Sequence, residues 1–160
     1  PVELDDVRQL EASSKLACAR HADGALTCFG RHSHGRLLPT RPVLAGIVDV
    51  SVGKNGIAAL DGDGHLHVFV PWKGEFLDIG PAPGATAVVS GGEVGCAVGP
   101  DTLTCGDYWG PVVVERPEGR IESRGGVDLC IAGTQQCLEG YFLLSDLTTS
   151  MKPSWVEAAW

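Results

Sequence analysis

The chain lacks the features that mark membrane-spanning, nucleic-acid-binding and helical proteins. No stretch approaches the ~20 consecutive apolar residues that a spanning helix needs, so no membrane insertion by this chain is expected. No run of Lys or Arg makes a stripe able to neutralise successive phosphates, and with a net charge of -8 and a pI near 5.0 nucleic acid is an unexpected partner. Helical periodicity is weak, with residues 3–15 and 150–160 its best stretches, and strand patterning claims most of the first. The start has neither the basic region nor the apolar block of a signal peptide. The absence of Met before Pro1 reads as upstream processing or trimming, and Lys15 in "SKLAC" stands where a lipidation motif needs an apolar residue.

Reaction chemistry is missing as well. There is no G-x-S-x-G, no H-E-x-x-H and no phosphate-cradling Gly-rich loop. No catalytic residue is assigned, no cofactor is implied, and the expectation is a protein that is not an enzyme. "LDGDGH" (60–65) begins like a calcium loop, but no Asp or Glu follows at ligand spacing, and Asp-Gly is turn chemistry. His32 and His34, and His65 with His67, lack a third ligand for zinc and read as surface histidines, so no metal site is assigned.

Turn punctuation dominates what is present. The 160 residues suit one domain with a core, and 22 Gly with 10 Pro divide it into many short elements. "LEASSKLACARHADGALTCFG" (10–30) aligns without a gap on "VSVGKNGIAALDGDGHLHVFV" (50–70), an offset of 40. Ala19 falls on Ala59, Asp23-Gly24 on Asp63-Gly64, Leu26 on Leu66 and Phe29 on Phe69. Shorter copies run over 89–106 and 122–140. Three short strands are legible in each copy, a unit too small to bury its own faces, so copies must stack. Antiparallel hairpins in units near 40 residues favour radial stacking. The expected fold is all-β, a β-propeller of about four short antiparallel blades with three to four strands each. Its units are 6–45, 46–84, 85–119 and 120–153, and the tail 154–160 looks like the first strand of a fifth unit, able to close the ring.

Six cysteines fall into three close pairs, Cys18 with Cys28, Cys96 with Cys105 and Cys130 with Cys137, without the C-x-x-C knuckles of zinc sites. Hairpin counting opposes each pair. A three-residue Ala22-Asp23-Gly24 loop puts Cys18 across from Cys28, a Gly133-Thr134 turn puts Cys130 across from Cys137, and an even loop around Pro100-Asp101 does the same for Cys96 and Cys105. Directly opposed Cα atoms lie within disulfide range. In the second copy Ala58 and Val68 take these positions, which argues for structural staples rather than redox or metal chemistry. Such disulfides imply an oxidising compartment: secreted, periplasmic or cell-surface.

"LACARHADGALTCFGRHSHGRLL" (16–38) resembles the repeat of the regulator-of-chromosome-condensation family in its secreted bacterial form. Phe29-Gly30 stands for that repeat's Trp-Gly and Gly35-Arg36-Leu37 for its Gly-Gln-Leu. The later copies keep the hairpin and lose the following loop. The resemblance implies a β-propeller used as a binding platform. Family members have roughly seven blades, where propellers run from about 4 to 8, so the expectation divides among a compact four-bladed ring, a piece of a larger propeller and a ring completed by another chain. Guanine-nucleotide exchange is not carried over, given the acidic charge, the blade count and the cysteine usage.

Four residues beyond the second staple position, every copy has a ring-bearing residue: His32, Trp72, Trp109 and Tyr141. Tyr108 and Phe142 add apolar area beside two of them. Equivalent loops leave a propeller on one face, so these six residues form the expected partner surface. The functional expectation is a protein-binding module, a subunit of a bacterial cell-surface assembly. The alternatives are an inhibitor of an extracellular enzyme such as a β-lactamase or protease, and a lectin that stacks glycan on its rings.

Overall fold

Short runs of β-branched and small apolar residues, each stopped by Gly, Pro or Asp, leave no length for a helix, and the described residues form strands and turns only. The structure, a computed structural model, describes residues 4–31, 42–92, 94–107, 110–124, 128–133, 135–139 and 154–157.

Four sheets follow one another in chain order. Sheet 1 holds β1 (Val7–Ala12), β2 (Leu16–His21), β3 (Leu26–Gly30) and β4 (Pro42–Leu44). Sheet 2 holds β5 (Ile47–Val52), β6 (Ile57–Asp61), β7 (His65–Val70) and β8 (Glu75–Pro81). Sheet 3 holds β9 (Ala87–Gly91), β10 (Val94–Val98), β11 (Thr102–Asp107) and β12 (Gly110–Glu115). Sheet 4 holds β13 (Ile121–Arg124), β14 (Asp128–Ile131), β15 (Gln136–Glu139) and β16 (Ser154–Glu157). Each is an antiparallel meander in sequence order, so every blade gains a fourth strand beyond the three legible in sequence.

The tail differs from expectation. Ser154–Glu157 does not open a fifth unit; it pairs with β15, Cys137 opposite Val156 and Leu138 opposite Trp155, and is the last strand of sheet 4. Pairing there satisfies the backbone edge that β15 would otherwise leave open.

Turn chemistry fixes the hairpin registers. In sheet 1 the His21 N–H bonds the Ala25 carbonyl at 2.9 Å, Gly24 takes φ 82°, and Asp23 Oδ1 accepts the Ala25 N–H at 2.9 Å. In sheet 3 the Gly99 N–H bonds the Thr102 carbonyl at 2.9 Å around Pro100-Asp101. Cys18 then faces Cys28, Cys96 faces Cys105 and Cys130 faces Cys137, with Cα separations of 4.1, 3.9 and 3.9 Å, and each pair is disulfide-bonded.

Strand alternation gives every sheet a forward face toward the next sheet and a rear face toward the previous one. Leu16, Cys18, Leu26 and Cys28 on the forward face of sheet 1 pack on Val50, Ile57, Ala59 and Phe69 of sheet 2. Ala58, Leu60, Leu66 and Val68 on the forward face of sheet 2 pack on Val88 and Ala97 of sheet 3. Val94, Cys96, Leu103 and Cys105 of sheet 3 pack on Ile121, Leu129 and Ile131 of sheet 4. The core is thus three stacked layers, with all the staples on forward faces. Successive first strands, β1 with β5, β5 with β9 and β9 with β13, lie side by side, which is the radial order of a β-propeller. Among the described residues no comparable packing joins sheet 4 to sheet 1.

Candidate interaction face

The third and fourth strands of every blade are joined at one end of the sheets. That end is defined in sheet 2 by Val70, where the chain leaves β7, turns through Pro71-Trp72-Lys73-Gly74 and returns as β8. Two N–H groups close this turn on one carbonyl: Lys73 and Gly74 bond Val70 O at 3.1 and 2.8 Å, with Gly74 at φ 74°. Behind it the Phe69 and Phe76 rings pack with centroids 5.3 Å apart, anchoring both strands in the core. A tight turn over a rigid base leaves Trp72 at the tip, 42% exposed.

Cations surround this end. Lys15 in the β1–β2 connection, Arg31 after β3 and Lys54 in the β5–β6 connection are all exposed. The Lys15 carbonyl accepts the Arg31 N–H at 2.9 Å, which places these two side by side. Lys73 pairs with Glu75 at 3.8 Å. The opposite end carries the hairpin turns and their exposed carboxylates, Asp23, Asp63 and Asp101, along with Asp5 and Asp6. Lys15, Arg31, Lys54 and Lys73 thus lie at the end of the aromatic tip together with Glu75, while the opposite end carries these carboxylates with Arg116 and Arg120 of the linker after β12. An amphipathic ring framed by cations suits the apolar, aromatic-rich centre and polar rim of a protein interface.

Of the six residues expected to form the partner surface, the structure describes Trp72. His32, Tyr108, Trp109, Tyr141 and Phe142 lie outside the described residues, as does His34. The strands that precede them, β3, β7, β11 and β15, each hold the third place in their sheets. Lys15, Arg31 and Lys54 were not found from the sequence. The available signal was that Lys54 aligns on Ser14, one place from Lys15, when the first two copies are superposed.

The other candidate chemistries take structural positions. In "LDGDGH" the Asp61 Oδ1 accepts the N–H groups of Asp63 and His65 at 3.0 and 2.8 Å, and its Oδ2 lies 2.8 Å from His67 Nε2. That carboxylate holds the turn. His65 Nδ1 lies 3.0 Å from Asp78 Oδ2, so each imidazole has its own carboxylate. A shallow open groove of about 690 Å³ lies at the hairpin end, between Pro100-Asp101 and the 115–119 linker. Arg116 spans it by donating to Gly99 O at 3.0 Å, a contact that ties linker to hairpin.

Comparison with protein-family models gives no match, and neither does comparison with curated protein sequences. Solved structures do match. Human WBSCR16 superposes with a TM-score of 0.51 at 18% identity, over 77% of this chain and 43% of its own. Prp20p from Saccharomyces cerevisiae, in a structure reported with its binding properties to Gsp1p and histones, gives 0.54 at 15% identity, over 82% and 42%. Yeast RCC1 (Prp20) in complex with Kap60 gives 0.51 at 17%, over 82% and 41%. The fold is therefore that of the RCC1-like β-propellers. The chain spans about two-fifths of the length of the propellers it matches.

Proposed function

We propose that this protein is a non-enzymatic binding module that recognises another protein through the end of its blades bearing Trp72. It works in an oxidising compartment, secreted, periplasmic or on a bacterial cell surface, as a subunit of a surface assembly. The observation that carries the reading is Trp72, 42% exposed on a turn closed at Val70 and backed by buried Phe69. A large amphipathic ring held rigid at a tip loses little conformational entropy on binding, which is why such residues dominate interfaces. Lys15, Arg31 and Lys54 around it favour a partner that presents carboxylates. The propellers it resembles are reported with Gsp1p, histones and Kap60, all proteins, and the disulfide pairs fit the compartment.

The test is affinity capture from the native extract with wild type and with Trp72→Ala, followed by identification of what is retained. The reading expects one protein held in stoichiometric amount by wild type and lost with Trp72→Ala, while far-ultraviolet dichroism stays unchanged. Equal capture by both forms, or retention of glycan alone, overturns it. An unreduced intact mass lacking the hydrogens of all 6 cysteines supports the compartment, and a mass of free thiols refutes it.

A further inference from the structure

The first two blades open on the same turn, built from different residues. The Ser13 N–H donates to the Leu16 carbonyl at 2.8 Å in the first, and the Gly53 N–H to the Gly56 carbonyl at 2.9 Å in the second. The peptide that joins the last two residues of each turn is held differently. In sheet 1 the Lys15 carbonyl accepts the Arg31 N–H at 2.9 Å and the Leu16 N–H donates to Ser13 Oγ at 3.3 Å, so both polar groups of the Lys15-Leu16 peptide are engaged. In sheet 2 the repeat alignment puts Pro71 where Arg31 stands and Gly53 where Ser13 stands. Proline has no N–H and glycine no hydroxyl. Among the described residues the Asn55 carbonyl accordingly meets no donor and the Gly56 N–H no acceptor.

Asn55 is the only asparagine in the sequence, half-buried and followed directly by glycine. Asparagine is a labile residue, and a glycine after it, having no Cβ, lets its own backbone nitrogen approach the side-chain amide closely. We infer that Asn55 is a self-modification site, at which the folded protein converts the side-chain amide to a carboxylate through the Gly56 nitrogen. That nitrogen gives up its proton and bonds Asn55 Cγ, the Cγ–Nδ2 bond breaks, and Nδ2 leaves as ammonia with the proton. A cyclic imide remains, and one water opens it at either carbonyl to give aspartate or isoaspartate. Nothing is oxidised or reduced: amide and water become acid and ammonia. Turning the Asn55-Gly56 peptide toward Cγ breaks no hydrogen bond, whereas the same motion of Lys15-Leu16 would break both of those that hold it. The product sets a carboxylate next to Lys54, at the end that carries Trp72. Its effect on a partner rests on the binding role proposed above, while the reaction itself does not.

The test is ageing of the purified, unreduced protein in warm, mildly alkaline buffer, followed by ion exchange, intact mass and peptide mapping. The expected result is an acidic species that accumulates with time, carries the mass change of amide-to-acid exchange, and maps to residue 55 as aspartate and isoaspartate. Asn55→Gln gains no acid at that residue. Gly53→Ser returns the hydroxyl acceptor that sheet 1 has, and slows conversion by about fivefold, the rate equivalent of one ordinary hydrogen bond. Pro71→Ala returns the N–H donor and slows conversion in the same sense should Gly53→Ser fail to fold. Conversion in the reduced, urea-unfolded chain with none in the folded protein overturns the proposal. So do Gly53→Ser and Pro71→Ala proteins that keep the wild-type dichroism and convert as fast as wild type.

Discussion

Gln9 and Asp49 stand at one position of the repeat in successive blades and bond across the junction, Gln9 Nε2 donating to Asp49 Oδ1 at 2.8 Å and to the Val50 carbonyl at 2.9 Å. The other Asp49 oxygen accepts the Val88 N–H at 2.8 Å, so one carboxylate ties β1, β5 and β9 together. Arg20 Nε donates to Gln9 Oε1 at 3.3 Å and orients the amide. Asp49→Ala strands the Val88 N–H and the Gln9 amide in partly buried surroundings, an expected loss of about 1–3 kcal/mol. Gln9→Ala leaves Asp49 with Val88 and costs about 1 kcal/mol. Urea unfolding of the two variants beside wild type checks both the values and their order.

The approach of sheet 3 to sheet 2 depends on Gly95. A Cβ there would lie 2.6 Å from the Ala58 Cβ and 2.9 Å from Val68 Cγ2, contacts that real side chains do not make. Gly95→Ala therefore forces the sheets apart, at an expected cost of about 1–3 kcal/mol. Val68→Ala removes one of the two obstructing groups, so the double variant Gly95→Ala with Val68→Ala is less destabilised than the sum of the single changes. Strict additivity of the melting shifts would count against this packing argument.

The staples differ in kind from that contact because they act mainly on the unfolded chain. Cys18→Ala with Cys28→Val copies the Ala58 and Val68 pair that sheet 2 uses at the same register. The expected result is a folded protein with unchanged dichroism, destabilised by about 2–3 kcal/mol through the freed loop entropy. Collapse of the fold would mean that the disulfide organises the blade rather than pinning it.

Hairpins and staples were legible in the sequence because turn chemistry and cysteine spacing are local. Asp23-Gly24 and the Cys18 to Cys28 interval each constrain the same register, and they agree. The outer strands were not legible: in β8 exposure does not alternate, and in β12, where it does, the water-facing position carries the apolar Val113, so residue type does not alternate along the strand. Ser154–Glu157 was misplaced for a related reason, since its partner β15 is separated from it by 140–153 and no local pattern links the two. At the candidate site, Trp72 was found by counting from the staple. Lys15, Arg31 and Lys54 come from three different connections, and only the alignment of strands brings them to one end.

The second blade should respond to pH through its two imidazole–carboxylate pairs. The hydrogen bond to Asp78 raises His65 above its ordinary 6.5 despite some desolvation. The same bond, joined by the Gly80 N–H, lowers Asp78 below its ordinary 3.8. Burial pushes Asp61 upward, but the hydrogen bond to His67 and the N–H groups of His65 and Asp63 outweigh it and leave it lowered. A raised imidazole contributes fully below its unfolded value and loses that contribution as pH rises through the raised one. Depressed carboxylates contribute above their unfolded values and lose it as pH falls through the depressed ones. Both contributions are present between about pH 4 and 6.5, and the thermal midpoint is expected to peak there. His65→Gln should flatten the decline above that window and leave the acid limb, which Asp61 still governs. Imidazole NMR checks the cause directly: a His65 titration midpoint at or below 6.5 contradicts the ion pair, whatever the melting curves show.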